Sequence, residues 1–177
     1  MSNVRRLAPV VGALIALAIL VPAPALAKSK GGVRVFKATE AGSSVILGGA
    51  PGTLNVTSDA FIRGRLIGTG ALHLDNVARP VAGGGWRIVG GFRITAQNGD
   101  VLRGTSSGRM KTVEGVNQLE FRSRVTGGTG RFAGARGRLV SKATFTIASI
   151  DSSGTIRTSD RGTCYGRIRL AGRGGRR

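Results

Sequence analysis

The chain has 177 residues, with 27 Lys and Arg against 8 Asp and Glu for a formal charge of +19, and it holds one Cys and one His. One Cys excludes an internal disulfide, and one Cys with one His excludes the usual nitrogen-and-sulfur metal sites. So large a positive excess favours polyanionic partners, and the length suits one domain that buries its own core.

In chain order, Arg5 and Arg6 precede an apolar run from Leu7 to Val21, and Ala25-Leu26-Ala27 then offers small residues at a cleavage site. The run is shorter than the roughly 20 residues that span a bilayer, which predicts a signal peptide over 1–27, cleaved after Ala27. Leu7-Ala8-Pro9 continues a twin-arginine signal poorly, which favours the general secretory route. The mature chain would then be secreted or held in the cell envelope, with 150 residues (177 − 27) and a charge of +17 once Arg5 and Arg6 are gone. Residues 28–40 read as a polar N-terminal segment, 41–171 as the folded domain, and 172–177 as a basic Gly/Arg tail.

Beyond Val33 the pattern has period two. Glycine recurs every few residues, at about 1 kcal/mol each in a helix interior, and no apolar stripe persists at helical spacing. Ile62 and Leu66 alternate with Arg63 and Arg65; Leu72 and Leu74 with His73 and Asp75; Trp86, Ile88, Phe92 and Ile94 with Arg87 and Arg93. Leu102, Gly104, Ser106 and Met110 alternate with Arg103 and Arg109; Leu119, Phe121 and Val125 with Glu120, Arg122 and Arg124. Leu139, Ala143, Phe145 and Ile147 alternate with Arg138 and Lys142, and Cys164, Gly166, Ile168 and Leu170 with Tyr165, Arg167 and Arg169. Seven strands thus have one apolar or small face and one basic face, and Val33, Val35 and the Ser43 to Leu47 run add one or two more. Asn98-Gly99-Asp100 is a tight reversal, Asp151 to Gly154 a looser one. Consecutive hairpins of this kind predict an all-β fold, a small antiparallel barrel of about eight strands, because closure removes exposed edges.

Small and large residues mix on the inward face. They either fit the barrel's taper or leave a cavity for one small apolar ligand, with Trp86, Phe92, Gly104, Phe121, Phe145 and Gly166 as the candidate lining.

Thr126-Gly127-Gly128-Thr129-Gly130 mimics a dinucleotide-binding loop, but that chemistry needs a helix to follow. Gly134 and Gly137 interrupt the next turn, and an alternating strand starts at Leu139, so no nucleotide cofactor is expected. His73 lies on a polar face beside Asp75, which leaves a Ser-His-Asp triad without support. Cys164 reads as an inert core thiol, and no metal site is expected. Asp59, Asp75, Asp100, Glu120, Asp151 and Asp160 mostly occupy turn or outward positions, which gives the interior few acids for proton transfer. Arg87, Arg93, Arg103, Arg122, Arg124 and Arg136 are the candidate anion contacts. Nucleic acid is a poor fit, since the outward face offers only Tyr165 and Phe61 for base stacking; an anionic envelope polymer or lipid surface fits the charge as well.

The hairpin residues Asn98-Gly99-Asp100-Val101-Leu102-Arg103-Gly104-Thr105, a strand, and then Thr126-Gly127-Gly128-Thr129-Gly130-Arg131-Phe132-Ala133-Gly134-Ala135-Arg136-Gly137 resemble the allene oxide cyclase and dirigent superfamily, in particular its bacterial secreted members. The likeness spans roughly Trp86 to Leu170. It implies an eight-stranded calycin-like barrel with a central, largely apolar pocket, often trimeric in the plant proteins, and a homo-oligomer, dimer or trimer, is an open expectation here. The plant cyclases fold an unstable epoxide and the dirigent proteins orient radical coupling without oxidising anything themselves, and Arg136 alone among the candidate anion contacts lies in the matched motif. The leading expectation is a non-catalytic barrel that binds a small apolar ligand inside, anionic polymer outside, or both. The alternatives are a pocket that templates a cyclisation or coupling, and a structural wall-associated protein.

Overall fold

A computed structural model describes residues 31–172; the expected signal peptide over 1–27 and all but the first residue of the expected tail lie outside them. Eight strands follow one another: β1 Gly32–Gly48, β2 Leu54–Gly64, β3 Gly68–Pro80, β4 Trp86–Ala96, β5 Val101–Val113, β6 Val116–Gly128, β7 Arg136–Ile150 and β8 Ile156–Leu170. Each pairs antiparallel with the next and β8 pairs with β1, so the sheet closes into a barrel. The expected all-β eight-stranded barrel is the fold. The sheet closes because every segment alternates, which leaves each strand with an apolar face to bury and a polar face for solvent.

Two local expectations are corrected. Most of the segment 28–40 that reads as a polar lead-in is barrel wall: β1 starts at Gly32 and turns Phe36 and Ala38 inward, both buried. Its alternation is hidden because Val33 and Val35 face outward, 61% and 71% exposed. In β7, Ile147 keeps the parity of Phe145, opposite buried Thr158, yet is half-exposed because it stands near the open end of the strand, where the β7–β8 register then shifts before Ser149.

The two ends of the barrel differ. At one end, Phe36, Ile62, Ile67, Leu102, Val125, Phe132 and Ile168 are almost fully buried and form the core. Burying such a side chain stabilises the fold by roughly 1.5–3 kcal/mol. The glycine-rich segment between β6 and β7 closes this base. Its single 3-10 turn, Gly130–Phe132, drives Phe132 into the core, and Ala135 is buried behind it. Asp100 anchors the turn: Arg131 Nε lies 3.4 Å from Asp100 Oδ2, and Asn98 Nδ2 donates to the same oxygen at 2.9 Å. Arg131 Nη2 also donates to the Ile67 carbonyl at 2.9 Å. Gly130 has φ +55, and a Cβ there would overlap the Asp100 carboxylate, so only glycine fits. Gly31 and Gly172 meet beside this base. The loops at the other end, after β1, β3, β5 and β7, surround a mouth.

Candidate functional site

Behind that mouth the inward side chains do not meet, and a cavity of about 110 Å³ remains. Leu54, Trp86, Met110 and Leu119 form a half-buried rim, and Ile62, Leu72, Phe92, Ile94 and Leu139 line the deeper part. Of the six candidate lining residues, Trp86, Phe92, Phe121 and Phe145 border the cavity, whereas Gly104 and Gly166 do not. The reason is close strand approach. A Cβ on Gly104 would stand 2.6 Å from Phe92 Cε1 and overlap the Arg124 carbonyl; one on Gly166 would stand 2.9 Å from Leu139 Cα. Their small size lets neighbouring strands coil tightly and opens no space.

The wall made by β1, β2 and β8 carries a cluster of acids and hydroxyls among its apolar side chains. Register places Glu40 opposite Gly162, Gly42 opposite Asp160, and Ser44 between Ser58 and Thr158. Asp160 accepts hydrogen bonds from Ser44 Oγ and, at 2.6 Å, from Thr158 Oγ1; the Ser44 and Ser58 hydroxyls are 2.8 Å apart. Burial, together with the charge of Asp160, pushes the Glu40 carboxyl up from 4.5 to about 7. Burial also pushes the neighbouring Cys164 thiol up to about 11, which leaves it un-ionised and unreactive. A second buried polar pair, Ser106 Oγ donating to Asn76 Oδ1 at 3.0 Å, bridges the strands on either side of β4.

The acids are a correction to the sequence reading. The sequence reading puts Asp160 among turn and outward carboxylates and gives Glu40 no role, whereas both border the cavity. Asp160 has the parity of Cys164, four residues on, and Glu40 that of Phe36; alternation carried through polar residues would have found both.

The outward residues lie where alternation puts them. His73 Nδ1 is 2.7 Å from Asp59 Oδ1 and Nε2 is 3.0 Å from Asp75 Oδ2. These partners, Asp59 foremost, hold its pKa above the ordinary value against slight burial. The carboxylates occupy opposite edges of the ring and share no point for a cation. Among the described residues no group of three or more His, Cys, Asp and Glu could hold a metal ion. Arg87 and Arg122 line a trough on the outside of β4 to β8. Arg93 faces Arg103 across β4 and β5, and Arg124 faces Arg138 across β6 and β7, all exposed. Arg136 is committed to the fold, donating through Nη1 to the Thr126 carbonyl and, at 2.9 Å, to that of Ala135.

No protein-family model matches the chain, and no curated protein matches it in sequence. Among solved structures it is similar to the pterocarpan synthase dirigent protein GePTS1, at 16% identity and a TM-score of 0.40 over 78% of this chain and 87% of that one. It is also similar to the pterocarpan synthase dirigent protein PsPTS1, at 17% identity and a TM-score of 0.34 over 79% of this chain and 97% of that one.

Proposed function

We propose that the barrel binds a small, largely apolar ligand that carries one hydrogen-bonding group. The observation behind this reading is the cavity itself, apolar on one wall, with Glu40, Ser44 and Asp160 converging on the other. An apolar void of about 150 Å³ takes up a molecule the size of benzene. At about 110 Å³, this one suits a single ring or a short alkyl chain whose remainder projects past the rim. A hydroxyl or amide on the ligand would pair with the polar wall, and an apolar ligand without one would leave those groups unpaired. The test uses the mature chain, residues 28–177, and an environment-sensitive apolar fluorophore competed by phenols and short fatty alcohols. Trp86 is the only tryptophan and stands at the rim, so its emission reports occupancy. Saturable binding with a shift in Trp86 emission is expected. Absence of both, at millimolar competitor, removes this reading.

Glu40 favours a second reading, a pocket that templates a cyclisation or coupling. A carboxyl with a pKa near 7 beside a second carboxylate holds a transferable proton at neutral pH, where general acid–base catalysis is most effective. A carboxylate titration by carbon NMR decides it: a Glu40 midpoint near 4.5 would leave no poised proton.

A further inference from the structure

The outer surface is electrically two-sided. On β2 and β3 it carries Asp59 and Asp75, both bonded to His73. On β4 to β8, by contrast, Glu120 is the only outward acid among strands dense in arginine. Register sets several of these arginines directly against one another: Arg87 opposite Arg109, Arg93 opposite Arg103, Arg136 opposite Arg169, and Arg138 between Arg124 and Arg167. Like charges directly opposite in a sheet are destabilising. Glu120 stands between Arg109 and Lys142 on the adjacent strands and 3.9 Å from Arg122, so it offsets one cation of the trough and leaves the other opposed pairs without an acid.

This half of the barrel is also hollowed on the outside. A trough of about 1100 Å³ crosses β4 to β8, and its charged lining is Arg87, Arg109, Lys111, Arg122, Lys142 and Arg161 against the single acid Glu120. Ser107, Gln118, Thr144 and Thr163 add uncharged hydrogen-bonding groups between them. Same-face residues repeat at about 6.8 Å along a strand and about 4.8 Å across strands, so the trough presents cations at short, regular intervals.

We propose that this trough binds a linear polyanion without bases, a flexible chain carrying phosphate or carboxylate groups at regular spacing. Its anionic groups would sit between Arg87 and Arg109, the opposed pair that lines the trough, and along Lys111, Arg122, Lys142 and Arg161. The lining has no aromatic side chain, so stacking, which holds single-stranded nucleic acid, has no platform. A concave surface also seats a chain better than it meets a flat bilayer. The trough lies outside the barrel wall and the cavity inside it, and the two share Leu119, Ala143 and Arg161.

The test measures retention and affinity of the mature chain, residues 28–177, for long-chain inorganic polyphosphate, with orthophosphate, single-stranded DNA and vesicles of phosphatidylglycerol and phosphatidylcholine alongside. Arg109→Glu, Arg122→Glu and Lys142→Glu together should weaken polyphosphate binding at least tenfold and flatten the dependence of log K on log salt. The same three reversals at Lys37, Arg63 and Arg79, outward on β1 to β3, should weaken it less than threefold. Changing the trough trio to Gln serves if the Glu version unfolds, judged by circular dichroism. Equal losses from both trios would reduce the effect to net charge and overturn the proposal. Tighter binding to DNA, or vesicle binding that polyphosphate does not compete away, would overturn it as well.

Discussion

Glu40 and Gly162 face each other across β1 and β8, and a Cβ on Gly162 would stand 2.7 Å from Glu40 Oε1 and 2.8 Å from both Ala143 Cβ and the Lys142 carbonyl. The glycine keeps the room in which the carboxyl sits. Gly162→Ala is expected to cost about 1–3 kcal/mol in urea unfolding, as overpacking usually does. Because the backbone carbonyl cannot yield as the Glu40 tip can, Glu40→Ala should recover only part of the loss. Full recovery would mean that the carboxylate alone fills the site.

Glu40 also predicts a pH dependence. Its pKa is about 7 in the fold against 4.5 ordinarily. Between those values the folded chain keeps a proton that the unfolded chain releases, so stability falls as pH rises from about 4.5 to about 7 and then levels. At about 1.4 kcal/mol per pH unit this amounts to at most about 3–4 kcal/mol. In Glu40→Gln this component should vanish, leaving the variant more stable than the parent at pH 8. Parallel stability–pH curves for the two would contradict it.

The base plug depends on Asp100. Asp100→Ala leaves Arg131 without its carboxylate and should cost about 2 kcal/mol, lowering the melting temperature by about 4–8 °C. A Cβ on Gly130 collides with that same carboxylate. Gly130→Ala should therefore cost more in the parent than in the Asp100→Ala background, a coupling that a double-mutant cycle measures.

At Arg138, replacement should strengthen the fold. It stands between Arg124 and Arg167 on adjacent strands. Arg138→Gln is expected to stabilise by about 0.5 kcal/mol in low salt and by almost nothing at 1 M salt, where charges are screened within about 3 Å. A salt-independent gain would point to packing instead.

Cys164, only 4% exposed and with its thiol raised to about 11, should resist a thiol reagent at pH 8 until the barrel opens. Labelling as fast as in the unfolded chain would place the sulfur at a surface.

Alternation made the barrel legible because a closed sheet asks one simple thing of every residue, inside or outside. It worked for Trp86, Ile88, Phe92 and Ile94 without help from other signals. It failed in β1, where outward Val33 and Val35 imitate a core face, and at Ile147, where the parity holds but the strand end leaves the side chain half-exposed. The cavity was harder to read. Whether Gly104 opens space or admits a neighbouring strand depends on how closely β6 approaches it, a distance set by the coiling of the whole sheet. Glu40 and Asp160 were missed for a different reason: acids are usually outside, and that expectation outweighed the parity they share with Phe36 and Cys164.

Because Gly31 and Gly172 abut at the plugged base, with a Cβ on the first only 2.7 Å from the Cα of the second, the described chain is nearly a ring. All eight strand pairings are antiparallel and join neighbours in that ring, so no pairing depends on which strand is made first. A short linker from 31 to 172, with the backbone opened in the mouth loop between Asp151 and Gly154, would give a circular permutant with the same wall and cavity. The barrel's identity lies in its cyclic order, and the position of the break is free.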